Sequence, residues 1–182
     1  MPASSSPRAQ ARLPLVAFFG ALSLFFATLE YLFPTPPWFK LGLSNLPMLI
    51  ALDFFTLPEL LLLLVLKVVG QGIVNGTLAS QAFVLSAAGS LASFVVMYMA
   101  FRLIPRRWVS LIGLSLAGSM ASNAVQVGLS MAWIFGPASG IIAPWFLGLG
   151  TASGLAIGWG AETLQRHSRW LRRVKRGQSA TA

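Results

Sequence analysis

The chain has 182 residues, 56% of them hydrophobic and 9% charged, with 13 Lys and Arg against 4 Asp and Glu. Soluble domains carry about 25% charged residues, so this composition belongs to a membrane protein with length for about six spans and no room for a separate soluble catalytic domain. Cysteine is absent, which excludes disulfides, thiolate nucleophiles and thiolate metal ligands, and the single histidine, His167, stands in the tail.

Residues 1–12 are Pro, Ser and Ala with Arg8 and Arg12, the composition of a disordered cytoplasmic segment. Leu13–Phe33 is long enough to span a bilayer and is interrupted only by Glu30 near its far end. A secretory signal peptide is the competing reading, but the run exceeds a usual signal core and no small-x-small cleavage site follows. Ala17 and Ala21 form a small-xxx-small pair with Gly20 beside them, a face for close packing within the protein or against a partner helix. Residues 34–40, PTPPWFK, cannot be helical throughout because three prolines remove donors. Trp38, Phe39 and Lys40 suit the membrane interface, as an anchor or as a lid.

Leu41–Phe55 is a second, somewhat short apolar stretch holding Asn45, Pro47 and Asp53. An amide there needs a partner, and Pro47 frees a carbonyl one turn earlier, so the start of this helix is expected to be irregular beside a cavity. Pro58 and Glu59 suit a new helix N-terminus. The segment that follows, through Gly76, is Leu and Val with a lysine at its centre. As a helix it places Lys67, Gln71 and Asn75 on one stripe about 12 Å long. A cation at bilayer depth costs about 2.5 to 3.5 kcal/mol on insertion scales, so Lys67 should point inward, into a pocket for a ligand with an anionic or strongly accepting group.

Ala82–Ile104 reads as helix four, whose Ser86, Gly89, Ser90 and Ser93 read more readily as packing than as chemistry. Val109–Phe135 is helix five, with Asn123 and Gln126 on one face as further pocket candidates or as interhelical hydrogen bonds. Ile141–Leu164 is helix six, with Gly150, Gly154 and Gly158 as a close-packing face. The membrane domain thus covers 13–164, leaving 165–182 as a basic tail. Arg8, Arg12, Arg102, Arg106, Arg107 and six basic residues from Arg166 to Arg176 fall on one side of this topology, eleven of thirteen. By the positive-inside rule both termini are then cytoplasmic. Trp170, Leu171 and Val174 between the tail arginines suit an anionic lipid surface, so the high pI is no argument for nucleic acid.

Lys40–Leu52, KLGLSNLPMLIAL, resembles the LGLAN-type signature of the small bacterial membrane family called Gx transporters, also labelled heptaprenyl diphosphate synthase component I. The resemblance runs through the Lys67 helix, LSAAGSLASFVVM from Leu85 to Met97, and the Asn123 and Gln126 pair. Many relatives have Arg at Lys67 and Ala-Asn at Ser44 and Asn45; exchanging the fork for a point charge alters the shape of anion it fits. That family is similar to the S components of energy-coupling-factor transporters. The resemblance implies six helices with both termini inside, a ligand pocket toward the outer side, and docking of a coupling membrane protein on Ala17 and Ala21. It also implies separate ATPase subunits, consistent with the missing phosphate-loop motif in this chain.

The rival class is a component of prenyl diphosphate synthesis. Catalysis there needs clustered aspartates to hold magnesium, and this chain has one aspartate and three scattered glutamates; an accessory membrane subunit remains the alternative. A third reading is a scaffold in which Lys67 pairs with Glu30, although their depths differ by about 9 Å and Lys40 is the easier partner for Glu30. The sequence therefore leads to an all-α, non-catalytic, multi-pass subunit of the bacterial cytoplasmic membrane. It binds a small polar or anionic molecule through Asn45, Lys67, Gln71, Asn75, Asn123 and Gln126, with no metal or cofactor expected.

Overall fold

Six helices follow one another in the computed structural model, which describes residues 7–32, 42–105, 107–133, 136 and 139–168. They are α1 (Pro7–Leu32), α2 (Asn45–Ala51), α3 (Leu57–Val74), α4 (Gln81–Leu103), α5 (Leu111–Trp133) and α6 (Ser139–His167), and no strand occurs among the described residues. The expected interfacial loop at 34–40, Arg106 and most of the basic tail lie outside the described residues.

Three helices are long and apolar enough to cross a membrane: Arg12–Glu30, Leu57–Val74 and Gln81–Leu103. Helices α5 and α6 have 23 and 29 residues, but Ser, Asn, Gln and Gly dilute their hydropathy. Phe25, Val65, Leu91, Trp145 and Trp159 are exposed on the outside of the bundle, an apolar coat larger than soluble monomers tolerate.

Each start has a local cause. Pro7 opens α1 where a missing N–H is harmless, so this helix begins six residues before the expected Leu13 and includes part of the segment read as disordered. Helix α3 starts with a capping box, in which the Thr56 N–H and hydroxyl both donate to Glu59 Oε2, at 2.7 and 2.8 Å. It ends in a Schellman motif: the Thr77 N–H reaches the Gly72 carbonyl, the Gly76 N–H reaches that of Ile73, and Gly76 takes φ +65°. Ser80 accepts from the Phe83 N–H to open α4, and Ser110 does the same for α5 through Gly113.

The second element departs from the span expected over Leu41–Phe55. Its regular part is seven residues, about 10 Å, followed by a turn at 52–54 and extended residues at 55–56 that feed the α3 cap. Too short to cross a bilayer as a helix, α2 is nonetheless the centre of the molecule. Met48, Leu49, Ile50 and Ala51 are buried on every side against α1, α3, α5 and α6. Phe19 of α1 fixes its lower end through Phe55, ring centroids 5.4 Å apart.

Glycine contacts give the relative directions. Gly20 lies against Leu63 and Leu66, Gly70 against Leu24, and Arg12 reaches Glu59 at 3.6 Å, so α1 and α3 run parallel. Gly42 and Asp53, at the two ends of the α2 segment, meet Ile157 and Gln165 of α6 in the same order, so these too are parallel. Gly89 and Gly118 set α4 antiparallel to α5, and Gly150, Gly154 and Gly158 set α5 antiparallel to α6. The start of α1 and the end of α6 consequently share one end of the bundle with Asp53, Glu59 and Arg102.

Candidate functional site

Lys67 sits in the third turn from the end of α3, 2% exposed, because its neighbours at Leu63, Leu64 and Gln71 share the buried face of that helix. Its Nζ donates to Asn45 Oδ1 at the first turn of α2. Asn45 is held by a backbone bond to the Gly42 carbonyl, 2.8 Å, in a turn where Gly42 has φ +74°, a conformation that favours glycine. The Gly42 N–H in turn donates to Glu30 Oε1 at 2.7 Å. A four-residue turn therefore joins Glu30 on α1 to Lys67 on α3, and both side chains line one cavity.

Glu30 holds the Gly42 turn and brings a carboxylate to the wall that carries Lys67, while Lys40, its easier partner in the scaffold reading, lies outside the described residues. The depth difference along the helices is real; the turn and the reach of the lysine stem span it.

The cavity measures about 60 Å³, room for about four or five waters or a solute of similar size. Asn45, Lys67 and Gln71 form one side, and Asn123 and Gln126 of α5 the other. The Gln126 Nε2 donates to Ser122 Oγ at 2.9 Å and lies over the bare Gly89 of α4. Asn123 donates to the Phe146 carbonyl of α6 at 3.5 Å and nests on Gly150. Asn123 thus bonds α5 to α6, the Gln126 bond stays within α5, and both amides line the cavity. Asn75 is not among the lining residues, because α3 ends at Val74 and the Gly76 turn carries the chain away before the stripe completes a third step; Asn75 caps the helix instead.

Hydroxyls complete the wall. Ser86, Ser90 and Ser93 of α4, read from sequence as a packing stripe, face Ser115, Ser119 and Ser122 of α5 across the cavity. Singly, each resembles a small packing residue; only the antiparallel pairing of α4 and α5, both with serine at three- and four-residue spacing, signals a polar seam. The set offers one ammonium, one carboxylate, four amides and many hydroxyls. Such groups bind and orient a polar solute, and none of the cavity serines faces a histidine that would activate it as a nucleophile. Ala17 and Ala21, the expected docking pair, are exposed on the outside of α1.

Comparison with known proteins places this geometry in a family. No curated protein and no solved structure matches the chain. Residues 19–164, which run from within α1 to near the end of α6 and include the whole cavity wall, match the family described as heptaprenyl diphosphate synthase component I, and the chain belongs to that family.

Proposed function

We propose that the protein is the substrate-binding membrane subunit of an energy-coupling-factor-type uptake transporter, holding a small polar or anionic molecule in the cavity at Lys67. The observation that carries this reading is a lysine 2% exposed in a membrane-length apolar helix, turned toward amides and hydroxyls. A cation at such depth costs ~2.5 to 3.5 kcal/mol, and a bound acceptor group offsets that cost. The chain is not itself an enzyme in this reading. Energy comes from separate ATPase subunits, through a coupling membrane protein that docks on the exposed Ala17 and Ala21 face of α1. The end of the bundle bearing Arg12, Arg102 and Arg166 faces the bacterial cytoplasm, with the basic tail on anionic lipid.

The family description favours a second reading, a membrane accessory component of heptaprenyl diphosphate synthesis. A heptaprenyl chain exceeds a cavity of about 60 Å³, so in that case the protein acts on a partner synthase rather than by enclosing the lipid.

Native mass spectrometry of the protein purified gently from its own membrane, beside Lys67→Ala, separates the two. A co-purifying small molecule that disappears in the variant, with ATPase subunits in the wild-type assembly, is the expected result. An empty protein attached to a prenyl synthase overturns the transporter reading.

A further inference from the structure

Glu30 and Lys67 are the only charged groups among the described residues that line the cavity. Their signs are opposite, and both are buried, 6% and 2% exposed. They come from different helices, Glu30 from the last turn of α1 and Lys67 from α3.

One short turn fixes both groups. The Gly42 N–H donates to Glu30 Oε1, and Lys67 Nζ donates to Asn45 Oδ1. Gly42 and Asn45 are the two ends of that turn, which the Asn45 N–H closes on the Gly42 carbonyl at 2.8 Å, so their Cα atoms lie within about 7 Å of each other. A carboxylate and an ammonium are therefore held at neighbouring points of one wall.

Neither of these bonds needs a charge. A glutamine oxygen accepts from a backbone N–H, and an asparagine oxygen accepts from a neutral amide or hydroxyl. An ion pair kept only to neutralise itself inside a bundle is commonly matched or bettered by apolar side chains of similar volume. Here the two charges open instead onto the amides of Gln71, Asn123 and Gln126 and the serine hydroxyls of α4 and α5, groups that hydrogen-bond a solute and that an apolar pair would not require.

The formal charge of this wall is zero, and that sets which solutes it accepts. A monoanion drawn to Lys67 comes close to the Glu30 carboxylate and leaves the site with one charge uncompensated; a monocation drawn to Glu30 meets the same difficulty at Lys67. Away from bulk water such like-charge repulsion is strong, and it works as discrimination against both classes. A solute with one positive and one negative group meets an opposite charge at each pole and leaves the site neutral. The volume of about 60 Å³, about four or five waters, admits the smallest molecules of that kind, in which one or two carbons separate an ammonium from a carboxylate.

We propose that the cavity selects a small zwitterion of the amino-acid type, its carboxylate on Lys67 and its ammonium on Glu30. This rests on the reading of the cavity as a substrate site and names the class of substrate. Glu30 then binds ligand in addition to holding the Gly42 turn.

The full chain, purified in detergent, is titrated with glycine, alanine, serine and β-alanine. The separate halves of these molecules serve as controls: acetate and propionate for the carboxylate, methylamine and ethylamine for the ammonium. Stabilisation against thermal unfolding reports the affinities. At least one zwitterion should bind wild type about 10- to 150-fold more tightly than either half, the value of one charge-assisted bond. Glu30→Gln, which keeps an acceptor for the Gly42 N–H, should weaken that zwitterion by a similar factor and tighten acetate or propionate, because the like charge is gone. Lys67→Met should do the reverse and tighten the amines. A residue that serves only the fold weakens every ligand together, so the exchange of preference marks recognition. The wild-type comparison needs no variant and stands if either one fails to fold. Carboxylates that bind wild type as tightly as the zwitterions overturn the proposal, as does a Glu30→Gln protein with unchanged affinity for a zwitterion, or a wild type that binds none of the four. The substrate-site reading is judged apart from these, by the molecule that co-purifies with wild type and not with Lys67→Ala: an anion there refutes the zwitterion and keeps the site, and no molecule at all removes both.

Discussion

Replacing Lys67 with methionine keeps the stem of the side chain and removes its charge and its hydrogen bond to Asn45. In a protein whose lysine serves only its own fold, the change leaves the Asn45 carbonyl without that donor, at ~1 to 3 kcal/mol for a buried unsatisfied group. Interhelical polar bonds in membranes sit at the low end, averaging ~0.6 kcal/mol. Against this, the ammonium no longer has to be desolvated, a relief of ~2.5 to 3.5 kcal/mol on insertion scales. For a lysine kept for a ligand, the ligand-free protein should therefore be as stable as wild type or more so. Affinity should fall by the value of a charge-assisted bond, ~1.5 to 3 kcal/mol, or about 10- to 150-fold. Thermal unfolding in detergent, with and without the small molecule recovered from wild type, reads both quantities. A variant that melts several degrees lower when empty, yet keeps its ligand, would refute the reasoning and make Lys67 a structural residue.

Two further outcomes are expected. Glu30→Gln retains an acceptor for the Gly42 N–H, whereas Glu30→Ala removes it; the alanine variant should lose ~1 to 3 kcal/mol and the glutamine variant less than half of that, compared as unfolding midpoints in one detergent. Equal losses would show that the charge, and not the bond to the turn, is what matters. Gly158→Ala should be destabilising by ~1 to 3 kcal/mol, because an added Cβ would stand 2.5 Å from Ile112 Cα, backbone that cannot swing aside. Gly128→Ala and Gly148→Ala meet nothing within 4 Å and should be neutral or slightly stabilising in the same melting assay.

Much of this molecule was legible in its sequence because polar residues in long apolar runs have few places to go. Lys67, Gln71, Asn45, Asn123 and Gln126 stood out for that reason, and all five line the same cavity. The serines of α4 and α5 did not, since a serine in a membrane helix can satisfy its hydroxyl on its own backbone, as Ser119 does on the Leu116 carbonyl. Their shared wall exists only once two helices are paired and in register. The bond from the Gly42 N–H to Glu30 was not legible for a different reason: its donor is backbone, and backbone donors are invisible to any search for opposite charges. Asn75 was included by carrying the helical period past Val74, where α3 ends and the positive-φ Gly76 turns the chain away.

The brevity of α2 bears on how the chain enters a membrane. Seven helical residues satisfy too few backbone groups to be stable in lipid alone, and the extended residues 55–56 lead directly into the cap of α3. Met48, Leu49 and Ile50 pack against α1, but their burial is complete only with helices that are synthesised later, α5 and α6 among them. Insertion one span at a time would strand this segment. The long helices must be in place first, with the central one drawn in as they close around it, so the residues made early in synthesis are among the last to reach their final positions.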